Sequence, residues 1–537
     1  MTGKYRRILR KCATVLLACF IMMSACFAES LKIETRHISF DAMAYDAVNI
    51  EILINGVAEL TEAVSAADSF ECVRALYAEY QSLIGHYQTM AAIAFIRARM
   101  DRGDSYWAAE DERLSVSAAA VYRATAELAQ AMCATPFWRR LEAEMGMVLF
   151  AVQNLDDFLT DETVPLFERE AALAAEYAHR LAIYDGGASA AWYDVYGDEM
   201  IERHIELIEL RRQIARTLGF SDYPALMFAM YGRNYSPQQC VDLAGKTAEY
   251  IVPLLTSLRE RYAPPVFPEI EFDAFSASFR TILSSFSGDM AAVFDIMLSN
   301  ELYDTAERPK KDDRAFTIYL PEYGVPFLFS VFRGTNGDVL NVVHEFGHFY
   351  NSYVTGRGEP SVDLAEIHSQ GLELLAGCMA AGIYGAAYEG ETRAHIIKSI
   401  TSSITRAAYY TALEFALYEM DPDALSVDVV KRVAWETAYK YHVAIDDEGA
   451  ADYQWITAPH IVEQPFYMAS YMTSGLCVLE MWARSEYDAD VWRCYLNIAN
   501  RSDGGAFLSV IRDAGLHGPF ETGGVQATAE SVAEKLQ

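Results

Sequence analysis

The chain has 537 residues, 52% hydrophobic and 22% charged, a folded composition that excludes an intrinsically disordered protein. Its 75 acidic residues outnumber 43 basic ones, for a net charge of −32. That repels phosphate backbones and anionic lipid, and excludes a nucleic-acid partner.

The first residues differ from everything after them. Lys4, Arg6, Arg7, Arg10 and Lys11 precede an uncharged apolar run from Cys12 to Ala28. Basic residues, a short apolar run and then small residues make an export signal, and the run is short for a stable span of about 20 residues. The expectation is a signal peptide over 1–28 and export from a bacterial cytoplasm. MSAC (Met23 to Cys26) also resembles a bacterial lipoprotein cleavage site. A lipid on Cys26 would then be the one contact with a membrane; cleavage after Ala28 is the alternative. Cys72, Cys133, Cys240, Cys378, Cys477 and Cys494 follow with no CxxC spacing, so no cysteine zinc site is implied.

Residues 29–255 read as an N-terminal helical region. Segments 70–100, 111–134 and 167–184 place apolar and aromatic residues at three- and four-residue intervals, the period of helices packed on a core. His86, His179 and His204 stand alone on such helices and carry no assigned chemistry. RYAPPVFPEIEF (261–272) concentrates prolines and breaks the pattern. A second region, 256–523, begins just before it, and the weakly patterned tail 524–537 reads as peripheral. Segments 314–320 and 325–332 read as two strands around the turn PEYG. We expect the second of them to pair with a bound peptide, because it lies a short turn before the next helix.

That helix contains NVVHEFGHFYNSY (341–353). Asp338 can cap it, and Val339, Val343, Phe346 and Tyr350 form one apolar stripe. His344 and His348 are one turn apart, so both rings leave the same side and can reach one cation. Glu345, beside them, is placed to take a proton from an attacking water without being a ligand. With 11 histidines in the chain, an HExxH string arises by chance in roughly one such chain in fifty, so the string needs support. A catalytic zinc needs a third protein ligand. Asn351 and Val354 stand where the metzincin pattern requires Gly and His, which excludes that class. After the turn TGRGEP (355–360), Asp363 can cap a second helix, LAEIHSQGLELLAGCM. Glu366 lies in its first turn, and Glu373 two turns later on the same face, where it can orient a ligand histidine. His368 competes with Glu366, since about 200° of helix separates them and both cannot face one metal.

HEFGH followed after a short turn by EIHSQGLE resembles the oligoendopeptidase F and thimet oligopeptidase family of zinc peptidases. Segments 215–237, 310–339 and 455–475 are similar to further family segments, and the match runs over roughly residues 70 to 500. It is closest to the bacterial oligoendopeptidase F branch. The resemblance implies a mainly α, two-lobed, zincin-like fold with a small β-sheet beside the active-site helix. It implies one Zn²⁺ per chain held by His344, His348 and Glu366, with Glu345 as general base. His460, Tyr467 and Tyr471 would stabilise the transition state. Short peptides would be the substrates, cut at internal bonds. Asn351 and Ala469 stand where the family often has a histidine and a tyrosine, and the spacing from His460 to Tyr467 is slightly stretched. The alternatives are a related helical metallocarboxypeptidase, or a peptide-binding lipoprotein with a vestigial zinc site. Nothing in the sequence sets an oligomeric state.

Overall fold

The structure, a computed structural model, describes residues 38–145, 162–182, 190–263, 266–358, 361–377, 380–443, 454–484, 488–501 and 506–536. The expected signal peptide with Cys26, and Cys378, lie outside the described residues. What is described is mainly helical with one small sheet. Among the described residues no helix is long and apolar enough to cross a membrane.

The N-terminal layer is three helices: α1 (Ile50–Ser65), α2 (Phe70–Met100) and α3 (Ser105–Ala134). Asn49, Ser69 and Asp104 start them by accepting hydrogen bonds from their first-turn N–H groups. Leu53, Val57, Leu60 and Val64 of α1 fall on one stripe, as the 3.6-residue period requires. They pack with Val73, Tyr77 and Ile84 of α2 and Leu114, Val121 and Leu128 of α3. Each such side chain contributes about 1.5–3 kcal/mol when fully buried. The far end of α2 faces a second, larger core through Met90, Ile93 and Ile96. Helix α4 (Ala190–Thr217) supplies Met200, Leu207, Ile208 and Ile214 to that core.

The sheet has the order β1 (Tyr303–Asp304), β3 (Val325–Phe329), β2 (Phe316–Leu320). β2 and β3 are the expected hairpin, antiparallel with Phe316 opposite Phe329 and Leu320 opposite Val325. β1 runs parallel to β3. The central position of β3 overturns the expectation that segment 325–332 takes up a peptide. Its backbone is paired with β2 on one side, while Leu328, Ser330 and Phe332 donate to the carbonyls of Leu302, Asp304 and Thr305 on the other. β2 is the edge strand.

Six further helices frame the site: α5 (Asn336–Thr355), α6 (Val362–Gly377), α7 (Glu389–Glu419), α8 (Pro459–Glu463), α9 (Met468–Arg484) and α10 (Asp488–Ala499). α5 begins earlier than Asp338 implied. Thr335 is its N-cap, and Asp338, at the third helical position, accepts a hydrogen bond from the Thr335 N–H in a capping box. Gly356 ends it in the left-handed conformation (φ 68°), which costs a glycine nothing. α6 begins at Val362, one residue before its expected cap. Asp363 instead accepts from Tyr235 (3.1 Å) and Thr473 (3.4 Å) in the interior. The tail is not peripheral: Gly524–Lys535 is helical, with Val525 and Val532 buried.

Candidate metal centre

α5 and α6 meet at Gly347, the fourth residue of the HEFGH string. A β-carbon there would lie 2.3 Å from the His368 carbonyl oxygen and 2.8 Å from the Ser369 Cα. A glycine is therefore what lets the two backbones touch, and their contact brings the facing side chains together. One ligand atom each from His344, His348 and Glu366 lies within 4.8 Å of the others. The two Nε2 atoms are 3.3 Å apart, and Glu366 Oε2 is 3.7 Å from His344 Nε2.

This donor set fits zinc. Two nitrogens at the usual zinc distance in a tetrahedral site lie about 3.3 Å apart. The tautomer fits as well. Glu373 Oε1 is 2.6 Å from His344 Nδ1, so Nδ1 donates there and Nε2 keeps its lone pair for a cation. Burial lowers the His344 pKa, but the Glu373 carboxylate more than compensates, and the net direction is up. His368, the competing ligand, is buried outside this group. Its carbonyl accepts from the Tyr495 hydroxyl at 2.8 Å.

Glu345 is 6% exposed. Burial raises its carboxyl pKa, with His344 and His348 opposing, which suits a group that must accept a proton and then give it back. The Thr317 hydroxyl on edge strand β2 lies 3.0 Å from Glu345 Oε2 and 2.9 Å from the Glu345 carbonyl oxygen. Ser369 similarly reaches Glu366 Oε2 at 3.0 Å. Sequence reasoning missed both hydroxyls. Ser369 carried a signal, since it follows Glu366 by three on one helix and so shares its face. Thr317 carried none, because its contact is made across the sheet.

The aromatic segment lies against Glu366. The Tyr467 hydroxyl donates to Glu366 Oε1 at 3.1 Å. Burial first, then the nearby Glu366 carboxylate, pushes the Tyr471 pKa well above the usual phenol value. The His460 ring stacks on Tyr467 at 5.5 Å and meets Tyr471 edge-on at 5.8 Å. Burial lowers the His460 pKa, with Glu366 opposing; the neutral imidazole is the form that donates from one nitrogen only. Asn351, where a histidine is common in the family, is turned away. It is buried and donates to the Ala499 carbonyl at 2.7 Å, tying α5 to the end of α10.

Family models and solved structures both show similarity to this chain. A model of the peptidase M3 N-terminal domain matches residues 40–156, and a model of peptidase family M3 matches residues 288–492. No curated protein matches the chain. Among solved structures, PZ peptidase A with an inhibitor superposes with a TM-score of 0.82 at 22% identity, covering 93% of this chain and 99% of that one. A putative oligoendopeptidase F gives 0.82 at 23% identity, covering 93% and 98%. A putative oligoendopeptidase F from Bacillus anthracis str. Ames gives 0.78 at 22% identity, with the same coverage. These likenesses establish a common fold.

Proposed function

The chain belongs to peptidase family M3, a family of metallopeptidases, and on that premise we propose that it is a zinc-dependent endopeptidase hydrolysing internal bonds of short peptides. The observation that carries this reading is the convergence of His344, His348 and Glu366 with the Glu345 carboxylate beside them. When bound there, zinc supplies a Lewis acid that polarises the scissile carbonyl and makes water acidic enough to attack near neutral pH. Glu345 takes the proton from the attacking water and returns it to the leaving amine. Thr317 holds the Glu345 carboxylate in place through its hydrogen bond. Tyr467, Tyr471 and His460 share the negative charge that develops on the carbonyl oxygen; all three donors already cluster at Glu366. The basic-then-apolar start supports action outside the cytoplasm, and the net charge of −32 supports peptides rather than nucleic acid as substrates.

The test is turnover of an internally quenched peptide with a blocked C-terminus. Wild type cuts it, and Glu345→Gln retains zinc but loses on the order of 10²–10⁴-fold in kcat, the usual worth of a general base. A wild type that cuts only peptides with a free C-terminal carboxylate is a carboxypeptidase. Zinc binding without any hydrolysis identifies a binding protein instead.

A further inference from the structure

The segment that carries His460 and Tyr467 is held through its backbone by ionisable side chains, three of them buried. Arg211, on α4 and 1% exposed, donates to the carbonyls of Ile461 (3.3 Å) and Val462 (2.5 Å). The Tyr231 hydroxyl donates to the Pro465 carbonyl at 3.1 Å. The tightest grip is on Phe466. Glu414, on α7 and 2% exposed, accepts the Phe466 N–H at 2.8 Å. Arg233, with a fully buried side chain, donates to the Phe466 carbonyl at 3.0 Å and to the Ser470 hydroxyl at 2.8 Å.

Phe466 has φ 62°, a left-handed conformation that an aromatic residue adopts only when its surroundings impose it. Its ring is fully buried against Phe415, at 5.0 Å between centroids, and Tyr418, at 5.2 Å. Both polar atoms of one strained residue are thus fixed by ionisable side chains, and the next residue is Tyr467. Arg233 also reaches Asp363 at 3.6 Å, one turn before Glu366 on α6. The same guanidinium therefore spans the tyrosine segment and the helix of the third ligand.

We propose that Glu414 and Arg233 are positioning residues for the peptidase reaction: they lock Phe466 left-handed and so set the Tyr467 hydroxyl relative to Glu366. They touch neither substrate nor metal ligand; they act through Tyr467. A hydroxyl displaced by about 1 Å costs on the order of 10²-fold in rate, so a strained but fixed residue serves the site better than a relaxed mobile one. This inference rests on the function proposed above.

The test is a double-mutant cycle on the zinc-loaded enzyme, with Glu414→Leu and Tyr467→Phe. Glu414→Leu should lower kcat by about 10–100-fold while KM and the zinc content hold. Glu414→Gln, which still offers an acceptor to the Phe466 N–H, should restore kcat. In the Tyr467→Phe background Glu414→Leu should cost little more, because the hydroxyl it positions is already gone. Additive losses, or a Gln variant as impaired as Leu, overturn the proposal. If Glu414→Leu does not fold, Ser470→Ala, which removes one of the contacts of Arg233 with the segment, should show a smaller loss with the same non-additivity. A wild type that hydrolyses no peptide overturns the functional reading alone. The lock is then read from a crystal structure of Glu414→Leu, where residue 466 must leave the left-handed region; its staying there refutes the lock.

Discussion

His204 shows how much a single residue's surroundings decide. It is 1% exposed on α4, neither ring nitrogen has a hydrogen-bond partner among the described residues, and its ring meets Trp455 edge-on at 5.1 Å. Burial, with Arg211 adding to it, lowers its pKa from 6.5 to about 3. The folded state therefore keeps the ring neutral where the unfolded chain binds a proton. This group's contribution to stability is present above pH 6.5 and is lost as pH falls toward about 3. His204→Phe should give a flatter dependence of melting temperature on pH across that interval than wild type; identical slopes would contradict the assignment. The sequence made His204 a lone helical histidine with no assigned chemistry, and the structure places it on α4 inside the core. Glu366 and Glu373 were legible for the opposite reason. A carboxylate in an apolar helix needs a partner, and their spacing put both on the face that turns toward the histidines. Thr317 was illegible, because a strand threonine is ordinary until the structure puts Glu345 beside it.

Helices were legible at the scale of elements wherever the apolar period was long. The expected helix over 70–100 is α2 residue for residue, since its 31 positions repeat one pattern without interruption. Starts were harder, because several polar residues compete to cap. At α5 the competition went to Thr335, with Asp338 answering it from inside the helix. The role of the hairpin was misjudged because strand order is a non-local property. A two-residue strand, β1, occupies one side of β3 and leaves β2 at the edge, and two residues make no sequence pattern. The close approach of α5 and α6 at Gly347 yields a prediction of its own. Gly347→Ala must force backbone from backbone, which should cost about 1–3 kcal/mol and weaken zinc binding together with it. Gly245→Ala, where an added β-carbon meets nothing within 4 Å, is the control and should be neutral or slightly stabilising. Thermal unfolding with a zinc titration of both variants decides it; unchanged stability and affinity in Gly347→Ala would count against the geometry.

At the scale of the whole molecule, helical class and a small sheet followed from composition and period, and the family from motif order along the chain. What did not follow is how distant segments share one site. Residues 211, 233 and 414 hold the segment 461–466, and strand residue 317 holds residue 345. Such contacts depend on the larger core, which joins residues from Phe40 to Val532. On the proposed function, α5 and α6 together build one zinc site with Glu366 as the third ligand. The direct measurement is zinc per chain, after dialysis against a weak chelator, in wild type, Glu366→Ala and His368→Ala. One zinc is expected in wild type and in His368→Ala, and its loss from Glu366→Ala. Zinc retained by Glu366→Ala and lost by His368→Ala would contradict it.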